Sequence, residues 1–346
     1  MNTLLSALVI TYYNAPNYGA FLQAYAMQQF LRSKGIEAKI KRHRANNPNL
    51  FTFLKDKRTD KAVLEYRNEI QSVIDDAQSR LHFDEKDNCI YDVAIIGSDE
   101  VWNVKNMTAN HLPLFFRPYK SARQTVSYAP CSGRCAVKHL KLFPYTAGIR
   151  KLNHVSVRDD HTEQLMKDFG VKDVQRVLDP TFLHDFHEDL LPINQHEKYL
   201  FVYTYGFSAD DTQQIIQYAR NRNLKIIATG SKCDWADENP MLTPFEWISY
   251  IKNSQAVITS TFHGTIFSII FNKEFVTLAN YSNKISSLLD EFSLQDRFSV
   301  DGSLLEDKFG KNIDYDRINR IKTEKIAVSE KFLLSSFQEV QNNHVS

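Results

Sequence analysis

The 346-residue chain has few residues of the kinds that loosen or staple a fold. Eleven glycines and ten prolines are too few for long flexible linkers or low-complexity segments. Four cysteines, Cys89, Cys131, Cys135 and Cys233, are too few for a disulfide framework. Cys131 and Cys135 lack the second half of a zinc site, so all four are read as reduced thiols. No run is long enough to cross a membrane as a helix. The apolar start, "MNTLLSALVITYYN", has neither a basic leader nor a small-residue cleavage site and reads as a strand rather than a signal peptide. A net charge of +1 gives no overall reason to expect nucleic acid or a membrane surface as a partner. No P-loop, GxGxxG turn, nucleophile elbow or metal-ligand spacing occurs. The reduced cysteines suggest a cytoplasmic globular protein, and the missing motifs give no sign of a metal, a phosphate-binding loop or a dinucleotide.

The hydrophobic fraction of 43% is enough for a large core, and the length suggests two domains. The chain begins as a β-α-β unit. "LLSALVITYY" is a strand, Leu22, Tyr25, Ala26, Gln29 and Phe30 recur at helical spacing, Gly35 stops the helix, and "IEAKIKRH" is the next strand. The basic run "KIKRHR" reads as a solvated strand edge, and 44–60 as an accessory stretch. Strands then recur with polar residues at their ends: "YDVAIIGSDEVWN", "QTVSYAPCSG", "NHVSVRDD" and "VQRVLDPTFL". The non-periodic segment 183–198 is taken as a linker between domains at 1–182 and 199–315. Residues 316–346 are expected to form an amphipathic helix or helix pair packing back on the first domain. Alternation of strand and helix throughout predicts parallel sheets covered on both faces, with ligands at the strands' carboxyl ends.

The stretch "ITSTFHGTIFSIIF" sets His263 between a buried strand and a buried helix. An imidazole there suits proton transfer near neutral pH. The helix start and Ser260, Thr261, Gly264 and Thr265 form the expected binding side for an anionic donor. Arg158 follows its strand directly, so its guanidinium is expected to reach the same cleft, where its fork of donors fits a carboxylate or phosphate. The bland alternative is a salt bridge to Asp159 or Asp160. On the opposite side, "NAPNYGA" offers Asn17, Tyr18 and Gly19, as anion contacts or as a simple helix cap. "GSDEVWN" offers Ser98, Asp99, Trp102 and Asn103, a set common around sugars, although a lone Trp is more often core.

Taken in order, "NYGAFLQAYAMQQFL", "GSDEVWN", "SYAPCSG", "SVRDD", "VLDPTFL" and "STFHGTIFSIIF" resemble the polysaccharide pyruvyl transferase family. The one departure is at Pro130 to Ser132, where relatives usually carry small residues and a Phe. The resemblance implies two Rossmann-like domains facing across a cleft, in the glycosyltransferase-B manner. It also implies transfer of a pyruvyl group from phosphoenolpyruvate to two hydroxyls of a sugar, such as a galactose or an N-acetylhexosamine, as a cyclic ketal. Arg158 is then the donor-binding residue and His263 the catalytic histidine. A lipid-linked oligosaccharide acceptor would place the protein at the inner membrane face, with the loop 46–60 against it. Two rival readings are a nucleotide-sugar glycosyltransferase of the same fold type and a non-catalytic sugar-binding protein.

Overall fold

The computed structural model describes residues 4–43, 61–85, 89–106, 113–279, 282–299 and 305–345. The accessory stretch 44–60, and with it the loop 46–60, lies outside the described residues.

The first domain runs β1 (Ser6–Ile10), α1 (Tyr18–Ser33), β2 (Glu37–Ile40), α2 (Lys61–Ala77), β3 (Tyr91–Ile96), β4 (Ala122–Ser127), α3 (Val137–Lys141), β5 (His154–Val157), α4 (Asp160–Asp168) and β6 (Val174–Arg176). Its strands form one parallel sheet in the order β2-β1-β3-β4-β5-β6. The second domain runs β7 (Tyr199–Tyr203), α5 (Ala209–Asn221), β8 (Lys225–Thr229), α6 (Pro244–Asn253), β9 (Ala256–Thr259), α7 (Phe262–Ile270), β10 (Glu274–Leu278), α8 (Asn283–Glu291), β11 (Phe298–Ser299) and α9 (Leu305–Phe309). Its parallel sheet has the order β11-β10-β9-β7-β8. The continuous apolar strands follow from this arrangement. Every residue of β7, YLFVY, is buried because helices cover both faces of the sheet.

In each sheet the first strand lies between the second and the third. The loops after β1 and β3, and after β7 and β9, therefore turn to opposite faces and leave a crevice at the carboxyl edge. The two crevices open toward one another. Aromatic packing holds the domains in that pose. Tyr18 stacks on Trp247 at 5.5 Å between ring centroids, and Phe21 meets Phe245 edge-on at 6.0 Å. Tyr18 and Trp247 are fully buried, and side chains of this size stabilise by about 1.5–3 kcal/mol each when removed from water.

The predicted linker is more structured than its polar composition suggests. It contains the short 3-10 helix Phe186–Asp189, in which Phe186 packs on Phe267 at 5.0 Å and Asp189 accepts a 2.6 Å hydrogen bond from Tyr25. Contacts scattered through it, among them His187 edge-on to Phe271 and the Leu191 amide donating to Ser249, order the segment, and scattered anchors leave no period to read. The tail is a single helix, α10 (Tyr315–Val345). It starts on the second domain, where Arg317 donates to Ser293 at 2.9 Å. It then crosses to the first, where Ser329 accepts from the Leu178 amide and Phe332 lies 6.4 Å from the Tyr128 ring. Among the described residues no helix is long and apolar enough to span a membrane, and the four cysteines are free thiols.

Candidate active site

His263 stands in the first turn of α7, and the residues before it build that turn. Thr261 is the N-cap, accepting the Gly264 amide at 3.0 Å, and its hydroxyl also meets Thr259 Oγ1 at 3.0 Å. The N–H groups of Phe262 and His263 at this helix start have no intrahelical carbonyl to bond. Gly264, expected on the donor side, serves packing instead. A Cβ there would lie 2.2 Å from Thr259 Oγ1, so glycine lets the helix sit tightly on the strand end. Thr265 is corrected from donor contact to scaffold. It is fully buried, donates to the Thr261 carbonyl at 2.9 Å and pairs with Thr277 at 2.8 Å.

From the other domain, α1 presses its first turn against the imidazole. A Cβ on Gly19 would fall 2.0 Å from His263 Nδ1, so only a hydrogen fits between them. Asn17 caps α1, its Oδ1 accepting from the amides of Gly19 (2.8 Å) and Ala20 (3.3 Å), and it also lines the cleft. Tyr18 is corrected from cleft residue to domain interface, where burial against Trp247 removes it from solvent.

Arg158 does follow β5, but its guanidinium does not open into the cleft, and this corrects the expected donor-binding fork. The side chain is 1% exposed. Nη1 donates to Asp179 at 2.7 Å and to Ser98 Oγ at 3.2 Å, Nη2 donates to Asp99 at 3.3 Å, and the plane stacks 4.3 Å from the Phe262 ring centroid. The local salt bridge is not made either. Asp159 caps α4, accepting from Thr162 N at 2.8 Å, and Asp160 turns toward Arg176.

Asp179 is the centre of this buried cluster, and sequence reasoning assigned it no role. Its Oδ1 accepts from the amide and hydroxyl of Thr181, at 3.1 and 2.9 Å. Its Oδ2 accepts from Arg158 and from Ser98 Oγ, the latter at 3.0 Å. The same oxygen faces His263 Nε2 at 3.8 Å, and that nitrogen is buried with no hydrogen-bond partner. Burial alone would raise the Asp179 carboxyl, but His263 and Arg158 hold it well below the usual carboxylate range. At 3.8 Å the two atoms stand beyond hydrogen-bond length, and a small ring movement closes the gap. The signal in the sequence was "VLDPTFL", where an acidic residue before proline is forced extended at the end of a strand.

His263 opens on a cleft of about 480 Å³ lined by residues of both domains. Ser260, Thr261, Phe262 and Tyr205 stand at the carboxyl ends of β9 and β7, and Asn17, Asp99 and Arg134 face them. Ser260 Oγ pairs with Thr204 at 2.9 Å. Asp99 holds a left-handed backbone, φ 66°, while accepting from Arg158 and from the Glu100 amide. The cations on the wall are Arg134 and Lys284, and the Lys284 ammonium meets Glu100 at 2.7 Å across the domains. Neither cation was singled out from sequence, because loop charges show no period. A side lobe of about 340 Å³ continues past Arg134 and Lys284 to Asn103 and Lys105. Asn103 donates there to Glu100 at 2.6 Å.

Within "GSDEVWN", Ser98 and Trp102 are absent from the cleft. Ser98 is fully buried in the Asp179 cluster. Trp102 is core: its indole is fully buried and donates to the Phe115 carbonyl at 2.8 Å. Among the described residues no group of three His, Cys, Asp or Glu is placed to hold a metal ion. The arrangement, a carboxylate-backed imidazole beside a wall that carries two cations, is one that can move a proton next to a bound anion.

Solved structures share this two-domain arrangement. S. aureus MnaA, determined with UDP, is 12% identical over 97% of each chain, with a TM-score of 0.53. The Neisseria meningitidis UDP-GlcNAc 2-epimerase is 8% identical, with the same TM-score, over 97% of this chain and all of its own. Arabidopsis thaliana UGT89C1 is 11% identical over 93% of this chain and 94% of its own, at 0.50. At such identities the likeness concerns the fold, which is of the glycosyltransferase-B type. No curated protein matches the chain in sequence. The family model for polysaccharide pyruvyl transferase matches residues 17–283, from the cap of α1 through the His263 turn to the start of α8, and the chain belongs to that family.

Proposed function

We propose that the cleft transfers the pyruvyl group of phosphoenolpyruvate to two hydroxyls of one sugar, forming a cyclic ketal in surface-polysaccharide assembly. Phosphoenolpyruvate is the co-substrate, and no further cofactor is required. One observation carries the reading: His263, with the Asp179 carboxylate behind it, faces a cleft whose wall holds two cations and a helix start.

The chemistry needs such a set. A sugar hydroxyl adds to the carbon bearing the phosphate while the methylene carbon takes up a proton and becomes a methyl group. A second hydroxyl then displaces phosphate from the same carbon and closes the ring. Two hydroxyl protons leave oxygen, one is gained by carbon, and the other goes with the departing phosphate. His263 accepts the proton of the attacking hydroxyl, and Asp179 stabilises the imidazolium that results. Arg134, Lys284 and the first-turn amides of α7 bind the donor's carboxylate and phosphate. Arg158 supports the site from beneath by holding Asp179.

Titration calorimetry tests the donor. Phosphoenolpyruvate is expected to bind, and to bind more weakly in Lys284→Ala. Heat with UDP-sugars and none with phosphoenolpyruvate would transfer the protein to the nucleotide-sugar glycosyltransferases.

A further inference from the structure

Charge is unevenly distributed along the chain. From Val101 to Arg158 there is no Asp or Glu, whereas ten Lys and Arg occur, in a protein whose net charge is +1. Part of this run folds into one surface beginning at the cleft rim. Arg134 leads into α3, which exposes Lys138 and Lys141. The chain turns at Leu142, then forms the 3-10 helix Pro144–Lys151, which ends on exposed Arg150 and Lys151. Lys105 belongs to the same patch. After desolvation, its charge and that of Lys138 are what lower the His139 imidazole from its ordinary value. Lys105, Lys138, Lys141, Arg150 and Lys151 have no carboxylate partner among the described residues.

The apolar member of the patch is equally unusual. Leu142 is 72% exposed, more than any other large hydrophobic side chain among the described residues. It is held there, because Thr146 Oγ1 donates to the carbonyls of Leu140 (2.9 Å) and Phe143 (2.7 Å) and so fixes the turn. Phe143 and Tyr145 flank it, 5.7 Å apart.

We propose that this surface docks the protein on an anionic lipid bilayer, with Leu142 entering the interfacial layer and the surrounding cations meeting lipid phosphates. Cations alone would suit any polyanion, and the displayed leucine is what selects a bilayer. Arg134 and Lys105 also line the side lobe, so docking brings the cleft mouth to the membrane. The proposal does not depend on the pyruvyl-transfer reading, because lipid alone is the probe.

The test is flotation of the full chain with vesicles of phosphatidylcholine, or of phosphatidylcholine with roughly one part in three phosphatidylglycerol. Binding to the anionic vesicles only, weakened by about 0.5 M salt, is expected. Lys138→Gln with Lys141→Gln should lower the bound fraction about tenfold or more, and so should Leu142→Ser, which leaves the charge intact. Arg320→Gln with Lys331→Gln, exposed on α10, removes the same charge elsewhere and should not change it. All these side chains are exposed, and unchanged melting temperatures verify that the variants fold. Absent flotation, equal flotation with neutral vesicles, or normal flotation of Leu142→Ser overturns the proposal. Retention on soluble polygalacturonate without flotation also overturns it, assigning the surface to an acidic polymer.

Discussion

Asp179 shows how one buried carboxylate determines what its neighbours can do. It takes hydrogen bonds from Arg158, Ser98 and Thr181 and still faces His263. Removing either charge leaves the other uncompensated in a dry site, which costs far more than a surface pair. Arg158→Ala should therefore lower unfolding free energy by about 3–5 kcal/mol in a urea titration, with activity falling alongside. An unchanged midpoint would mean that the buried pair is not supporting the site. His263→Ala should behave differently. It should retain phosphoenolpyruvate binding in the calorimeter and lose turnover by at least about 100-fold. Near-normal turnover in that variant would remove His263 from the chemistry.

The elements that matter most are α1 and α7, whose first turns meet across the domain boundary. Gly19 exists for that meeting, because any side chain strikes the imidazole. Gly19→Ala should displace His263 or part the two helices, at a cost of about 1–3 kcal/mol for overpacking. Turnover should fall much further than stability. The pairing of a modest melting shift with near-complete loss of activity, measured on one preparation, separates displacement of the histidine from general unfolding. The contact also explains why Asn17 is a cap. Its two hydrogen bonds terminate α1 where the helix must begin in order to reach the ring.

At the scale of the whole molecule, the domains are joined by the aromatic interface, by the crossing of α10 and by the Glu100–Lys284 pair beside the cleft. Lys284 is the main cause that holds the Glu100 carboxyl down, at about 2 instead of 4.5. A group with a depressed folded value contributes stability that is complete above its unfolded value and is lost as pH falls through the folded one. The contribution, on the order of 3 kcal/mol at most at 1.36 kcal/mol per unit, should therefore disappear between about pH 4.5 and pH 2. Urea unfolding of the wild type and of Glu100→Gln across that interval gives the comparison. The two curves should converge toward pH 2 and stand apart above pH 4.5. A constant separation across the interval would mean that the pair does not couple the domains.

Much was determined by sequence alone. Apolar runs of strand length alternating with helical patterns require parallel sheets, since a strand buried on both faces has no polar side to show. His263 was legible because a lone polar turn between two apolar runs must sit at a strand's carboxyl end. The ordered set of motifs identified the family. Side-chain direction beyond such turns was not legible. Arg158 follows its strand as expected, yet its head belongs to Asp179, which lies 21 residues away in sequence. Trp102 and Ser98 share a polar loop with Asp99, but only Asp99 faces the cleft. Lys284 enters the site from the other domain through a contact 184 residues distant in sequence. Periodicity records which residues leave water. Which buried charge meets which is decided by the packing of two sheets against each other, where desolvation makes only a few pairings affordable.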